Sequence, residues 1–143
     1  MDQRRTGING ITRRVIGAAI QVHRTLGPGL LESVYQKCMR IELELRSLHV
    51  EAGRRISIEY AGRRLPDALI IDLLVEGQVI VELKAIQELH PIHSAQVMTY
   101  LRLSGCPAAL LINFNAPTVR QGLTRFDRPD LFVRSTNKYA RST

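Results

Sequence analysis

The chain has 143 residues, 45% of them hydrophobic, and 20 Lys and Arg against 13 Asp and Glu, a formal charge of +7. That length and apolar content suffice for the core of one small domain without disulfides or a structural metal; Cys38 and Cys106 fit no C-x-x-C or zinc-ligand spacing, and 5% aromatics with no Trp argue against a base-stacking platform. No apolar run is long enough to span a bilayer and MDQRRTGING lacks the apolar core of a signal peptide, which predicts a cytoplasmic protein without membrane segments. The positive charge favours polyanionic partners, since phosphate contacts release counterions.

In chain order, Ile11, Val15, Ala18, Ala19 and Val22 recur at helical spacing and predict an amphipathic helix from about Ile8 to Leu26. Gly27-Pro28-Gly29 breaks it. A second helix, from about Leu31 to Arg46, is expected to turn Leu31, Val34, Tyr35, Cys38, Ile41 and Leu45 toward the core. Glu32 sits on its flank near the N-terminal end, where a carboxylate also suits the helix dipole, and Tyr35 is placed to face the same cleft.

A strand around Ile56 to Tyr60 and a turn at Ala61-Gly62 lead into LIIDLLVEGQVIVELKA, Leu69 to Ala85. There Glu76-Gly77 reads as a hairpin turn, so three strands form an antiparallel run. Side chains alternate between the faces of a strand, which puts Ile80, Glu82 and Lys84 on one face and groups Ile70, Asp72 and Leu74 on the strand before. If the hairpin pairs as its turn implies, Asp72 and Glu82 meet across it with the Lys84 ammonium alongside. Buried charges need partners, and two carboxylates plus water suit magnesium or manganese. The competing reading has the acidic residues facing solvent, with Glu82 and Lys84 as a surface ion pair. Asp67, after Pro66 at a strand entrance, suits a turn or edge role, so Asp72, on the strand running into Glu76-Gly77, is the better candidate.

A third helix is predicted from about Ile92 to Leu103, stopped by Gly105-Cys106-Pro107. Gln96 and Tyr100, four residues apart, share one of its sides; the plainer reading has Gln96 at the helix edge and Tyr100 in the core. His90-Pro91-Ile92-His93 lacks a third ligand and reads as the helix start, not a zinc site. Ala108 to Asn113, AALLIN, is continuously apolar and predicts a strand buried on both faces. Val119 to Val133 supplies an edge strand or closing segment, and Arg134 to Thr143 a polar tail, so a single domain is expected over 1–133 and a tail over 134–143. The order α-α-β-β-β-α-β makes an α/β fold with a mixed central sheet flanked by helices. The absence of a Walker-type loop and of G-x-S-x-G excludes kinase, NTPase and serine hydrolase readings. Paired arginines at 4-5, 13-14, 54-55 and 63-64 are suited to phosphate contacts, against the alternative of a merely solvated basic surface.

Three ordered blocks carry a more specific signal: His23-Arg24-Thr25-Leu26-Gly27-Pro28 followed by Gly29-Leu30-Leu31-Glu32-Ser33-Val34-Tyr35, then Asp72 with Val81-Glu82-Leu83-Lys84-Ala85, then Gln96-Val97-Met98-Thr99-Tyr100-Leu101. Together they resemble the bacterial and archaeal GxxExxY protein family, over about Ile11 to Phe114, whose members look like compact relatives of the PD-(D/E)XK nuclease superfamily. The resemblance implies a restriction-endonuclease-like core and catalytic roles for Glu32, Asp72, Glu82, Lys84, Gln96 and Tyr100. It also implies a Mg2+ or Mn2+ ion held by Glu32, Asp72, Glu82 and the Leu83 carbonyl, and hydrolysis of nucleic-acid phosphodiesters, with DNA preferred over RNA. His23 belongs to the first block and so is expected near the site. The basic residue that the family often has shortly before the aspartate is missing, Leu69, Ile70 and Ile71 standing there instead. A nuclease-like module that binds nucleic acid or serves as an adaptor without turnover is the alternative, and a homodimer is compatible with either, although no residue specifies it at this level.

Overall fold

A computed structural model describes residues 3–128, with side chains from residue 7 onward. Two helices, α1 (Gln3–Leu26) and α2 (Glu32–Leu45), precede three strands, β1 (Val50–Tyr60), β2 (Arg63–Val75) and β3 (Val79–Lys84); α3 (Pro91–Ser104), β4 (Ala108–Asn113), the short α4 (Val119–Gly122) and β5 (Leu123–Asp127) follow. Among the described residues the strands form one sheet in the order β1-β2-β3-β4-β5. Tight turns join β1, β2 and β3 antiparallel, whereas α3 carries the chain over to set β4 parallel to β3, and β5 returns antiparallel at the edge. This is the expected mixed α/β sheet, extended by α4 and β5. The rest of the expected closing segment, and the tail over 134–143, lie outside the described residues. Among the described residues no helix is long and apolar enough to cross a membrane.

The sheet is covered on both faces. Val15, Ala18, Ala19 and Val22 of α1 join Tyr35, Met39 and Leu43 of α2 against Leu73, Val81, Leu83 and Leu110 in one cluster. Val97 and Leu101 of α3 pack on Leu74, Ile80, Ala109 and Leu111 in the other. β4 feeds both clusters in alternation, which is why it is apolar from Ala108 to Ile112 and buried along all six residues. Cys38 and Cys106 are free thiols.

Helix α2 departs from the face expected of it. Tyr35 is buried and Cys38 half-buried, but Met39 and Leu43 complete the inner face, while Leu31, Val34, Ile41 and Leu45 are exposed. Tyr35 sets the rotation. Its ring stacks on Phe114 with centroids 4.6 Å apart, and its hydroxyl donates to the Gly27 carbonyl at 2.5 Å and accepts from the Leu30 N–H at 3.2 Å. Gly27 and Gly29 both take positive φ in the loop so held. Tyr35 is thus a latch between the α1–α2 loop and the core, where the sequence had suggested a cleft-facing side chain. His23 is likewise structural: its Nε2 lies 2.9 Å from the Ala116 carbonyl. The histidines at α3 act as predicted, the His90 N–H donating to His93 Nδ1 at 2.9 Å as the helix begins.

Gly122 closes α4 against the end of β4. A Cβ there would stand 2.3 Å from the Asn113 carbonyl oxygen and 2.9 Å from the Ala116 Cβ. Gly122→Ala is therefore expected to cost about 1–3 kcal/mol, seen as a lower urea midpoint at unchanged m-value.

Candidate active site

The turn between β2 and β3 fixes what faces what. Glu76 and Gly77 both adopt positive φ, and the Gln78 N–H closes on the Val75 carbonyl at 3.0 Å, the primed turn whose twist suits a hairpin. Pairing runs Val75 with Val79, Leu74 with Ile80 and Leu73 with Val81; one step further, Asp72 stands opposite Glu82. At that step side chains replace the backbone ladder. The Asp72 N–H donates to Glu82 Oε1 at 3.1 Å, and the Leu83 N–H donates to Asp72 Oδ2 at 3.0 Å. The two carboxylates fill the gap where the strands part.

The alternation of faces slips at the same point. Leu73 and Val75 belong to the α1–α2 cluster, yet Ile71 packs with Leu74 in the α3 cluster, and Ile70 is exposed. Ile70, Asp72 and Leu74 therefore do not share a face as strict alternation requires. Two partners accommodate the irregularity: Gly53 of β1, with φ 64°, lies opposite Asp72 in the register of β1 and β2, and Gln36 of α2 donates from Nε2 to the Asp72 carbonyl at 3.2 Å. Gln36 was missed in the sequence; its spacing of one helical turn from Glu32 is the signal that points to it.

Lys84 leaves the sheet two residues after Glu82 and is half-buried. Its backbone carbonyl accepts the Phe114 N–H at 2.8 Å. Asn113, paired with Lys84 across β3 and β4, is buried and grips the segment that follows, its Oδ1 accepting from the Ile86 N–H at 3.1 Å and its Nδ2 donating to the Ile86 carbonyl at 3.0 Å. A polar residue closing an otherwise apolar strand is the trace this role leaves in the sequence.

Glu82 is only 5% exposed. Burial, then the neighbouring Asp72 charge, pushes its carboxyl up to about 8, while the Asp72 N–H and the Lys84 ammonium pull the other way. Glu32 is also raised, by burial first and then by Asp72, against the pull of Lys84. Glu32, Asp72, Glu82 and Lys84 thus share one electrostatic neighbourhood. Among the described residues, however, no three His, Cys, Asp or Glu side chains gather closely enough to hold a metal ion. Gln36 of α2 touches Asp72, and Glu32 lies about 6 Å further along the helix axis.

The Leu83 side chain is in the core, and its N–H rather than its carbonyl contacts Asp72. Gln96 is exposed on α3, and its Nε2 donates to the Tyr100 hydroxyl at 3.3 Å; Tyr100 leans on the α3 cluster. Among the described residues no hydrogen bond joins either of them to the acidic pair. Asp67 lies on an exposed stretch of β2 with φ 54°, and it is Asp72 that contacts Glu82.

For a divalent cation the acidic pair is suitable in kind, with two hard oxygen ligands set side by side. Acidic side chains wedged between two strands of a mixed sheet, with a lysine two residues on, are the layout of a nuclease-like α/β domain. The chain belongs to the PD-(D/E)XK nuclease superfamily, whose family model matches residues 9–126, and its fold is restriction-endonuclease-like. No curated protein and no solved structure matches it.

Proposed function

We propose that the chain is a nuclease that hydrolyses phosphodiester bonds of nucleic acid with the aid of Mg2+ or Mn2+. The observation that carries this reading is the Asp72–Glu82 wedge. Burial and the Asp72 charge push Glu82 up to about 8, and a cation joining the pair would favour its ionised form. Asp72 and Glu82 would hold the ion, with Glu32 and the Leu83 carbonyl as further oxygen donors. A bound divalent ion supplies Lewis acidity, acidifying water and offsetting phosphoryl charge. Lys84 orients the attacking water and balances negative charge in the transition state. Gln96, braced by Tyr100, presents an amide to a water or a phosphate.

The substrate side of the proposal rests on an arginine-bearing ribbon. Every residue from 59 to 68 is exposed where β1 and β2 run together, and Arg54, Arg55, Arg63 and Arg64 all stand exposed along these strands. The ribbon starts beside the site, since Gly53, opposite Asp72, directly precedes Arg54. A two-stranded ribbon fits the major groove of B-DNA, whereas the major groove of A-form RNA is too deep and narrow, which favours duplex DNA.

Labelled single- and double-stranded DNA and RNA incubated with the protein in Mg2+ or Mn2+ test the proposal. Cleavage of DNA that vanishes in chelator is expected. The second reading, a nucleic-acid-binding or adaptor module without turnover, draws on the open acidic cluster, which lacks a third closely set ligand among the described residues. Salt-sensitive DNA binding with no cleavage in either metal would establish that reading instead.

A further inference from the structure

Leu31, Val34, Cys38, Ile41 and Leu45 follow one another at spacings of three, four, three and four residues, the a/d repeat of a two-stranded coiled coil. The stripe faces away from the domain's own core. Leu31 and Leu45 are each 74% exposed and Ile41 57%, and of the five only Cys38 leans on the core cluster. With 3.6 residues per turn, the stripe is centred about 120° around the helix from the buried face of Tyr35, Met39 and Leu43. Helix α2 therefore carries two apolar faces, and among the described residues one of them is covered. An exposed apolar stripe of this length marks an interaction surface.

The charges beside the stripe select the partner. Lys37 and Glu44 border it on the outer side, both exposed. On the inner side Glu42 is already engaged by Arg46 at 3.0 Å, whereas Glu44 is held only loosely by Arg40, at 3.9 Å. We propose that α2 pairs antiparallel with α2 of a second copy of this chain about a two-fold axis. Cys38 of each copy then lies opposite Ile41 of the other, and Val34 opposite Leu45. In that register Lys37 flanks the same layer as the partner's Glu44, and the symmetry makes the pair twice. Parallel pairing would set Lys37 against the partner's Glu42, the carboxylate that Arg46 already neutralises.

The pairing stands independently of any activity. One consequence does rest on the nuclease reading: the two Glu32 residues would lie about 22 Å apart along the paired helices, with their sites running in opposite directions, as the strands of a duplex do.

Light scattering of the full-length protein at tens of micromolar, with the charge variants alongside, tests the proposal. The wild type is expected to be a dimer, and Ile41→Glu a monomer with an unchanged circular dichroism spectrum. Lys37→Glu should weaken the dimer by about tenfold, the scale of two exposed ion pairs lost, and Lys37→Glu combined with Glu44→Lys should restore it. The exposed charge variants leave the core untouched, so they decide the matter even if Ile41→Glu misfolds. A monomeric wild type, a dimer indifferent to Lys37→Glu, or rescue by Glu42→Lys in place of Glu44→Lys would overturn the proposal.

Discussion

Lys84→Ala is expected to lower cleavage by about 10²–10³-fold, or about 2.7–4 kcal/mol of transition-state stabilisation, while changing metal affinity little. Two effects on the ion oppose each other in this variant. Loss of the ammonium removes a repulsion toward the cation, but it also removes the pull that Lys84 exerts against protonation of Glu82 and Glu32. Asp72→Ala should behave differently and lose both cleavage and metal binding, because it removes a carboxylate that the ion needs and leaves the Leu83 N–H without its acceptor. Calorimetric titration with Mn2+ and a fluorogenic duplex assay on the same preparations separate the two outcomes. Equal cleavage by the wild type and both variants would remove Asp72 and Lys84 from the mechanism.

The hairpin was legible because a single local feature dictates it. Glu76-Gly77 can form a primed turn, and such a turn pairs Val75 with Val79 and so brings Asp72 to Glu82. No tertiary information was needed for that step. The slip of faces at Asp72 depends on Gly53 from β1 and Gln36 from α2, contacts between residues far apart in the chain, and strict alternation consequently misplaced Ile70. Helix α2 failed for another reason. Its sequence contains two apolar stripes of similar quality, and periodicity alone cannot rank them. The Tyr35 hydroxyl, bonded to Gly27 and Leu30, chooses the one with Met39 and Leu43. The stripe that looked more regular in the sequence is the one left in solvent, which is why the misreading of α2 and the proposed dimer share a cause. Glu32 was placed on the correct helix and end, but its distance from the acidic pair is set by where α2 docks, a quantity that side-chain spacing does not contain.

Glu82→Gln is expected to stabilise the metal-free protein at alkaline pH and to leave it unchanged near pH 4. The sign follows from Glu82 holding its proton up to about 8 in the folded chain, against an ordinary value of 4.5. Below the ordinary value both states are protonated and burial of the carboxyl carries no charge penalty. As pH rises from there, the unfolded chain ionises first, so the wild type loses stability progressively until the folded site ionises too. The loss amounts to about 5 kcal/mol at most, less to the extent that water or cations reach the site. Glutamine keeps an oxygen for the Asp72 N–H and gains an amide able to donate to the Asp72 carboxylate, so the wedge survives without its second charge. Urea titrations of wild type and variant at several pH values should therefore give midpoints that diverge from about pH 5 to 8 and then run parallel. Mg2+ or Mn2+ should close much of that gap, because ligand binding stabilises the wild type while the variant has lost a ligand. Since the cation must displace the Glu82 proton, wild-type metal affinity should rise by about tenfold per pH unit up to about pH 8 and level off above it. A difference in midpoint between wild type and variant that does not change with pH would show that Glu82 is ionised throughout, and the acidic pair would then need a partner other than a divalent ion.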